Sequence, residues 1–288
     1  MKKIEDTSNF VVGNLSSRHF SGFLSWVEGD DKHRNDVFIA KFNHPNKGEI
    51  DAFVKLYPFD GGANKGLINE ITGYLFAHAF EVPQPETAFL GRIPLTAIRG
   101  IDDLPEHHFL RKAKNKQPNY PAFCTQRLDG KSAGLHLPRS MTPTLTKDIA
   151  GWKDLPTAIV LDENIAHCDR HLNNLIRLGS KKYAAIDNGR LANESEEYWD
   201  NLILDHAKLY ENRLSDILFD NKPNNAMYSK IANSATDILN LIKPVERELK
   251  WWFNLFLSET DHQSFSQFLF KRAEQLVWLI NRRYNRLH

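Results

Sequence analysis

His167-Cys168-Asp169-Arg170-His171-Leu172-Asn173-Asn174 runs directly into Leu175-Ile176-Arg177-Leu178. A turn at Gly179-Ser180-Lys181 follows, then Tyr183-Ala184-Ala185-Ile186 and Asp187-Asn188-Gly189. Two short apolar runs around a glycine-containing turn predict a β-hairpin. Asn174 stands just before the first strand and Asp187 just after the second, so the hairpin brings them side by side at its open end. Asp169 lies five residues before Asn174, in the loop that feeds that end.

An acid, an amide and a second acid gathered in this way suit phosphoryl transfer. The carboxylate of Asp187 and the amide oxygen of Asn174 are hard ligands for an Mg²⁺ ion that bridges nucleotide phosphates. Asp169 can accept or orient the proton of an attacking hydroxyl. Each residue alone would read as a turn or cap residue, because Asp and Asn side chains satisfy nearby backbone groups. The spacing of all three about one hairpin favours chemistry. It resembles the catalytic and metal-binding loops of protein kinases, with His167-Cys168-Asp169 in place of HRD and Asp187-Asn188-Gly189 in place of DFG.

Upstream residues agree. Ala52-Phe53-Val54-Lys55 resembles the lysine-bearing strand of kinases, and a helix follows it, with Leu67, Ile68, Ile71, Tyr74, Leu75 and Phe76 at helical spacing. Glu70 lies in that helix between apolar neighbours and needs a cationic partner if buried. Lys55 is the natural partner, and the pair would hold the lysine on the nucleotide phosphates. Lys41, in Ile39-Ala40-Lys41-Phe42, competes for the role, but a turn and another strand follow it rather than a helix.

Asn69-Glu70 opening the helix, Gln126-Arg127-Leu128-Asp129, and Asp169-Arg170-His171 together resemble the HipA-like kinases, from about Lys55 to Gly189. The resemblance implies a protein-kinase-like fold, binding of ATP and Mg²⁺, and phosphorylation of serine or threonine hydroxyls on a protein substrate. Adenine would meet the backbones of Gln126 and Leu128. Several members of the group are toxins that act on aminoacyl-tRNA synthetases, which implies a small DNA-binding antitoxin partner. Some phosphorylate a serine in the phosphate-covering loop, which points to Ser16, Ser17 or Ser21. The chain departs from kinase patterns in three places. No Gly-x-Gly-x-x-Gly loop precedes Lys55, no Ala-Pro-Glu follows Asp187, and Cys168 stands where many kinases carry arginine. Two alternatives therefore stay open: a small-molecule or lipid kinase, and a pseudokinase that binds a partner without turnover.

Around this centre the chain reads as an α+β protein in two lobes, residues 1–128 and 129–288. Strands are predicted at Phe20–Val27, Asp36–Phe42 and Ile50–Tyr57 as an antiparallel meander, and at Thr87–Leu90 and Ala122–Leu128. Ile101–Pro121, charged and proline-bearing, reads mostly as a loop. Helices are predicted over Asp148–Ala166, Leu202–Leu218, Met227–Ile242, Arg247–Leu257 and Ser264–Leu287.

The 288 residues carry 37 Lys+Arg against 36 Asp+Glu, a balance that gives no global footprint for nucleic acid or an anionic membrane. Two cysteines, Cys124 and Cys168, rule out a disulfide scaffold and fit a reducing cytoplasm. No run suits a membrane span, and polar residues follow Met1-Lys2-Lys3 where a signal peptide needs an apolar stretch, so a cytoplasmic protein is expected. His167, Cys168 and His171 lack the fourth ligand of a structural zinc site, and His167 reads as a brace for the loop. The basic clusters Arg111–Lys116 and Lys271–Arg286 read as solvated faces.

Overall fold

The computed structural model describes residues 9–27, 36–59, 62–117, 119–134, 142–193, 198–199 and 204–286. Its contacts divide the chain into two units, residues 1–67 with 85–128 and residues 68–84 with 129–288.

In the first unit the strand period of two is plain. Along β4 (Gly48–Leu56), Ile50, Ala52, Val54 and Leu56 are buried and the residues between them are not. Strands β2 (Phe20–Trp26), β3 (Asp36–His44) and β4 form the antiparallel meander read from the sequence. The sheet then continues through β6 (Asn119–Gln126) and β5 (Ala88–Pro94) to β1 (Val12–Leu15), in the order β1-β5-β6-β4-β3-β2. β1, a four-residue edge strand parallel to β5, is too short to carry a periodic signal. Phe38, Ala40, Phe42, Val54, Phe89 and Ile93 build the core on this sheet, with Phe42 and Phe89 edge to face at 4.9 Å.

The segment read as a loop, Ile101–Pro121, is more ordered than expected. It holds a 3-10 turn at Ile101–Asp103, the helix α2 (Phe109–Lys114) and the start of β6. The imidazole of His108 caps α2 by accepting the Leu110 N–H, and Leu110 is fully buried. One buried leucine in a charged stretch is a weak sequence signal, yet it anchors the segment to the sheet core.

The helix α1 (Lys65–Ala79) begins at the edge of the first unit, and from Ile68 onward its residues group with the second. The sequence places this helix in the first lobe; the contacts of Asn69 and Glu70 described below explain the grouping. The second unit also holds a small sheet, β7 (Lys131–Ser132), β8 (Leu175–Gly179) and β9 (Lys182–Ala185). β8 and β9 are the predicted hairpin, with Leu175 opposite Ala185.

Helices α3 (Thr142–Ala150) and α4 (Leu155–Asn164) replace the single predicted helix Asp148–Ala166. All ten residues of α4 except Thr157 are buried, as in a helix at the centre of its unit. The predicted helix Leu202–Leu218 shrinks to α5 (Arg213–Phe219), and residues 204–212 are irregular. A helix there would use its own carbonyls, but those of His206 and Lys208 accept instead from the guanidinium of Arg272, at 3.2 and 2.8 Å. Arg272 lies in α8 (Glu259–Glu274), is fully buried, and also pairs with Glu163 of α4.

After α6 (Asn225–Ser234), α7 (Ile238–Phe256) runs unbroken through Pro244. A proline inside a helix costs about 3 kcal/mol. The stripe Ile242, Val245, Leu249, Trp252, Phe253 and Phe256, all buried, offsets it. The last helix is α9 (Leu276–Arg283).

α5 is capped by Asn212, whose Oδ1 accepts the Ser215 N–H at 3.2 Å and whose Nδ2 donates to the Ile159 carbonyl of α4 at 2.9 Å. The Asn212 side chain is buried. Asn212→Ala should lower stability by about 1–2 kcal/mol, read as a shift in urea midpoint at unchanged slope; an unchanged midpoint would show that the cap is idle.

Candidate active site

Chain direction sets the site. α4 ends at Asn164, Ala166 turns the chain with a φ of 52°, and the loop from His167 leads into a 3-10 turn at Leu172–Asn174 and then β8. At the open end of the hairpin, the Ile186 N–H donates to the Asn174 carbonyl at 3.0 Å. Asn174 and Asp187 therefore flank one backbone bond, as the hairpin reading requires. Asn174 is buried, and its Nδ2 donates to the Asp169 carbonyl at 2.7 Å. That bond fixes the planar amide and leaves Oδ1 as the group's acceptor end.

His167 joins the two loops. Its Nδ1 accepts the Asp169 N–H at 3.2 Å and its Nε2 donates to the Asp187 carbonyl at 2.9 Å. A ring that accepts at one nitrogen and donates at the other is neutral. Burial, and then the nearby Arg170 charge, hold its pKa well below the ordinary histidine range. With both nitrogens committed to the backbone, His167 has none left for a metal. Among the described residues, no group of three or more His, Cys, Asp or Glu could hold a metal ion.

Arg170, also fully buried, does most to fix the loops. Its Nε and Nη2 face the Asp162 carboxylate of α4 at 3.1–3.3 Å. Its Nη1 donates to the Ile186 carbonyl at 2.5 Å, and Nη2 also donates to Asn188 Oδ1 at 2.7 Å. Burial pushes the Asp162 pKa up to about 6 against the opposing pull of Arg170. α1 completes the cage. Glu70 Oε2 accepts the Asn188 N–H at 3.0 Å, and Asn69 Nδ2 donates to the Gly189 carbonyl at 2.8 Å. Asn69 Oδ1 in turn accepts from the Trp199 indole at 2.9 Å. Gly73 lets the helix approach this closely, because a Cβ there would lie 2.3 Å from the Asn188 Cβ.

Within this cage Asp187 adopts a left-handed backbone with φ of 63°. Aspartate tolerates that conformation better than most residues, but it still carries strain that the surroundings must hold. Asp169 presents its carboxylate at the loop surface, with Arg213 Nη1 at 2.5 Å from Oδ1 and Arg190 Nη1 at 3.8 Å from Oδ2.

No model of a known protein family matches the chain, and no curated protein matches it. Among solved structures, the crystal structure of a Helicobacter pylori proinflammatory kinase, CtkA, aligns over 96% of this chain and 99% of that one. The TM-score is 0.53 and the sequence identity 12%. The chain has a kinase-like fold. At that identity the likeness carries the architecture and not the activity.

Seen on a kinase-like fold, the predicted residues fall into two sets. Asp169, Asn174, Asp187 and Glu70 belong to the second unit, and hydrogen bonds to the Asp169 backbone and to the Asp187–Asn188 backbone, joined through His167, link them. Lys55, Gln126 and Leu128 belong to the first unit. Lys55 sits on β4 between Val37 and Phe123 of the neighbouring strands. The Gln126 N–H donates to the Thr87 carbonyl at 2.9 Å. The competing Lys41 is engaged at the surface with Glu49 at 2.7 Å and Asp51 at 3.5 Å. Ser16 and Ser17 lie at a 3-10 turn before β2, with the Ser16 hydroxyl against the His19 ring at 3.2 Å; Ser21 is in β2.

The sequence reading missed Asp162 and Gly73 and assigned no role to Arg170. Asp162-Glu163-Asn164 ends an otherwise apolar helix. Three polar residues in a segment buried on every side were the available signal for Asp162. Gly73 gave none, because only the nearness of Asn188 requires it.

Proposed function

We propose that the chain is an ATP- and Mg²⁺-dependent phosphotransferase, most simply a protein serine/threonine kinase. The observation that supports the reading is the joint fixing of the site: His167 bonds the backbones of Asp169 and Asp187, the Asp169 carbonyl holds the Asn174 amide, and the Arg170–Asp162 pair holds Ile186 and Asn188 on either side of Asp187. Preorganised groups of this kind are what phosphoryl transfer asks of a protein, since the reaction depends on positioning and on charge. The donor set fits Mg²⁺, because the Asn174 amide is turned by its own hydrogen bond and the Asp187 carboxylate stands on a held backbone.

In this reading Asn174 Oδ1 and the Asp187 carboxylate hold the ion. Mg²⁺ supplies positive charge to the nucleotide phosphates when bound. By the HipA-like resemblance, Lys55 would hold the phosphates and the backbones of Gln126 and Leu128 would meet the adenine. Asp169 orients the acceptor hydroxyl and takes its proton. A toxin-type role with a small DNA-binding partner is the version suggested by the HipA-like resemblance.

ATP should raise the melting temperature more with Mg²⁺ than without it, because a ligand that binds only the folded state stabilises it by mass action. Asp187→Ala should remove the Mg²⁺-dependent increment. An increment that survives this substitution places the metal elsewhere.

A further inference from the structure

The carboxylate that the proposed reaction needs is already engaged on both oxygens. Arg213 covers Oδ1 of Asp169 and Arg190 faces Oδ2. Both guanidiniums stand on anchored backbone. Arg213 is the first residue of α5, directly after the buried Asn212 cap that is bonded to α4. Arg190 is tied to the catalytic loop by its carbonyl, which accepts the Cys168 N–H at 3.4 Å, and by the bridge between His167 and Leu191. The side chains themselves are reachable, with exposures of 41% for Arg213 and 34% for Arg190. The third arginine nearby, Arg170, is buried and spent on Asp162, Ile186 and Asn188.

Two positive charges against one negative leave this locus with a net charge of about +1 at neutral pH. A carboxylate oxygen accepts more than one hydrogen bond, and Arg190 at 3.8 Å from Oδ2 is an ion pair rather than a hydrogen bond, so an acceptor hydroxyl can reach Asp169 with both arginines in place. A neutral acceptor gains nothing from the two guanidiniums, which share one carboxylate. An acceptor carrying a carboxylate or phosphate beside its hydroxyl adds a charge-assisted contact to the partly exposed Arg213.

We propose that Arg213, with Arg190 beside it, is a specificity-determining anion subsite that selects acceptors bearing a negative charge next to the hydroxyl. The proposal rests on the phosphotransferase reading. It adds the class of acceptor, an acidic peptide segment.

The test uses the full chain with radiolabelled ATP and Mg²⁺ on three serine/threonine peptide sets, flanked by Asp/Glu, by Ala or by Lys. The acid-flanked set should be labelled about five- to tenfold faster than the alanine set, the range between an exposed ion pair and a charge-assisted hydrogen bond. Arg213→Ala should bring that ratio near one, Arg213→Glu should turn the preference toward the lysine set, and Arg213→Lys should retain part of it. Labelling without an acidic preference, or a preference that survives Arg213→Ala, overturns the subsite and leaves the kinase reading standing. Equal slowing of all three sets by Arg213→Ala overturns it too, because Arg213 would then only position Asp169. Failure of the parent chain to label any set overturns the protein-kinase reading and this proposal with it.

Discussion

Asp169→Asn should abolish phosphotransfer and leave the fold and nucleotide binding in place. Asparagine keeps the size and a hydrogen-bonding oxygen but cannot take a proton, so the loss should be on the order of 10²-fold or more. The Asp169 backbone holds its shape through His167 and Asn174, and neither contact uses the carboxylate. The lost ion pairs with Arg213 and Arg190 are partly exposed and contribute little to stability. Rate should therefore fall while melting temperature stays close to the parent value. Transfer of labelled phosphate, measured beside a thermal melt, separates the two quantities. Turnover at the parent rate would remove Asp169 from the reaction.

Arg170→Leu should have the largest effect on stability. It strands Asp162 in a buried position and removes donors from the Ile186 carbonyl and Asn188. Breaking a buried ion pair by deleting one partner costs about 3–5 kcal/mol. Asp162, already pushed up to about 6 by burial, would lose the charge that keeps it ionised and would be held protonated at neutral pH. The double variant Arg170→Leu/Asp162→Leu should recover much of the stability, because well-packed apolar pairs replace buried ion pairs at little cost. It should not recover Mg²⁺-dependent nucleotide binding, since Asn188 and the Ile186 carbonyl still lack their donor. Urea denaturation of the two variants decides the first point and a binding titration the second. A double variant that binds as the parent does would show that Arg170 serves stability alone.

The hairpin Leu175–Ala185 and the meander Phe20–Leu56 were legible because local signals agree there. Apolar alternation, a glycine turn and flanking polar residues all point to the same structure. The candidate residues Asp169, Asn174 and Asp187 were legible for the same reason, because a hairpin fixes which residues share its open end. The segments that differ from the sequence reading depend on features that periodicity does not show. Residues 204–212 look helical by periodicity, but Arg272, more than sixty residues away, takes their carbonyls. α2 is hidden in a charged stretch because one leucine and one histidine cap define it. The sequence leaves residues 243–246 between two predicted helices, yet the apolar stripe of α7 carries one helix through Pro244. Gly73 is meaningful only once Asn188 lies against it.

The cage around Asp187 suggests why the second unit accepts so many buried polar groups. Asp162, Arg170, His167, Asn69 and Glu70 are all buried, and each has a hydrogen-bonded partner on another element. A network satisfied in this way specifies one loop conformation, where apolar packing alone would permit several. The strained backbone of Asp187 needs that specification.

The most direct test of phosphotransfer is incubation of the purified chain with radiolabelled ATP, Mg²⁺ and a cell lysate, with Asp169→Asn as the control. A kinase that acts on a protein hydroxyl yields a labelled protein band that disappears when Mg²⁺ is chelated and is absent with the control variant. A parent chain that labels nothing above the Asp169→Asn control, or that labels equally well without Mg²⁺, would contradict the assignment.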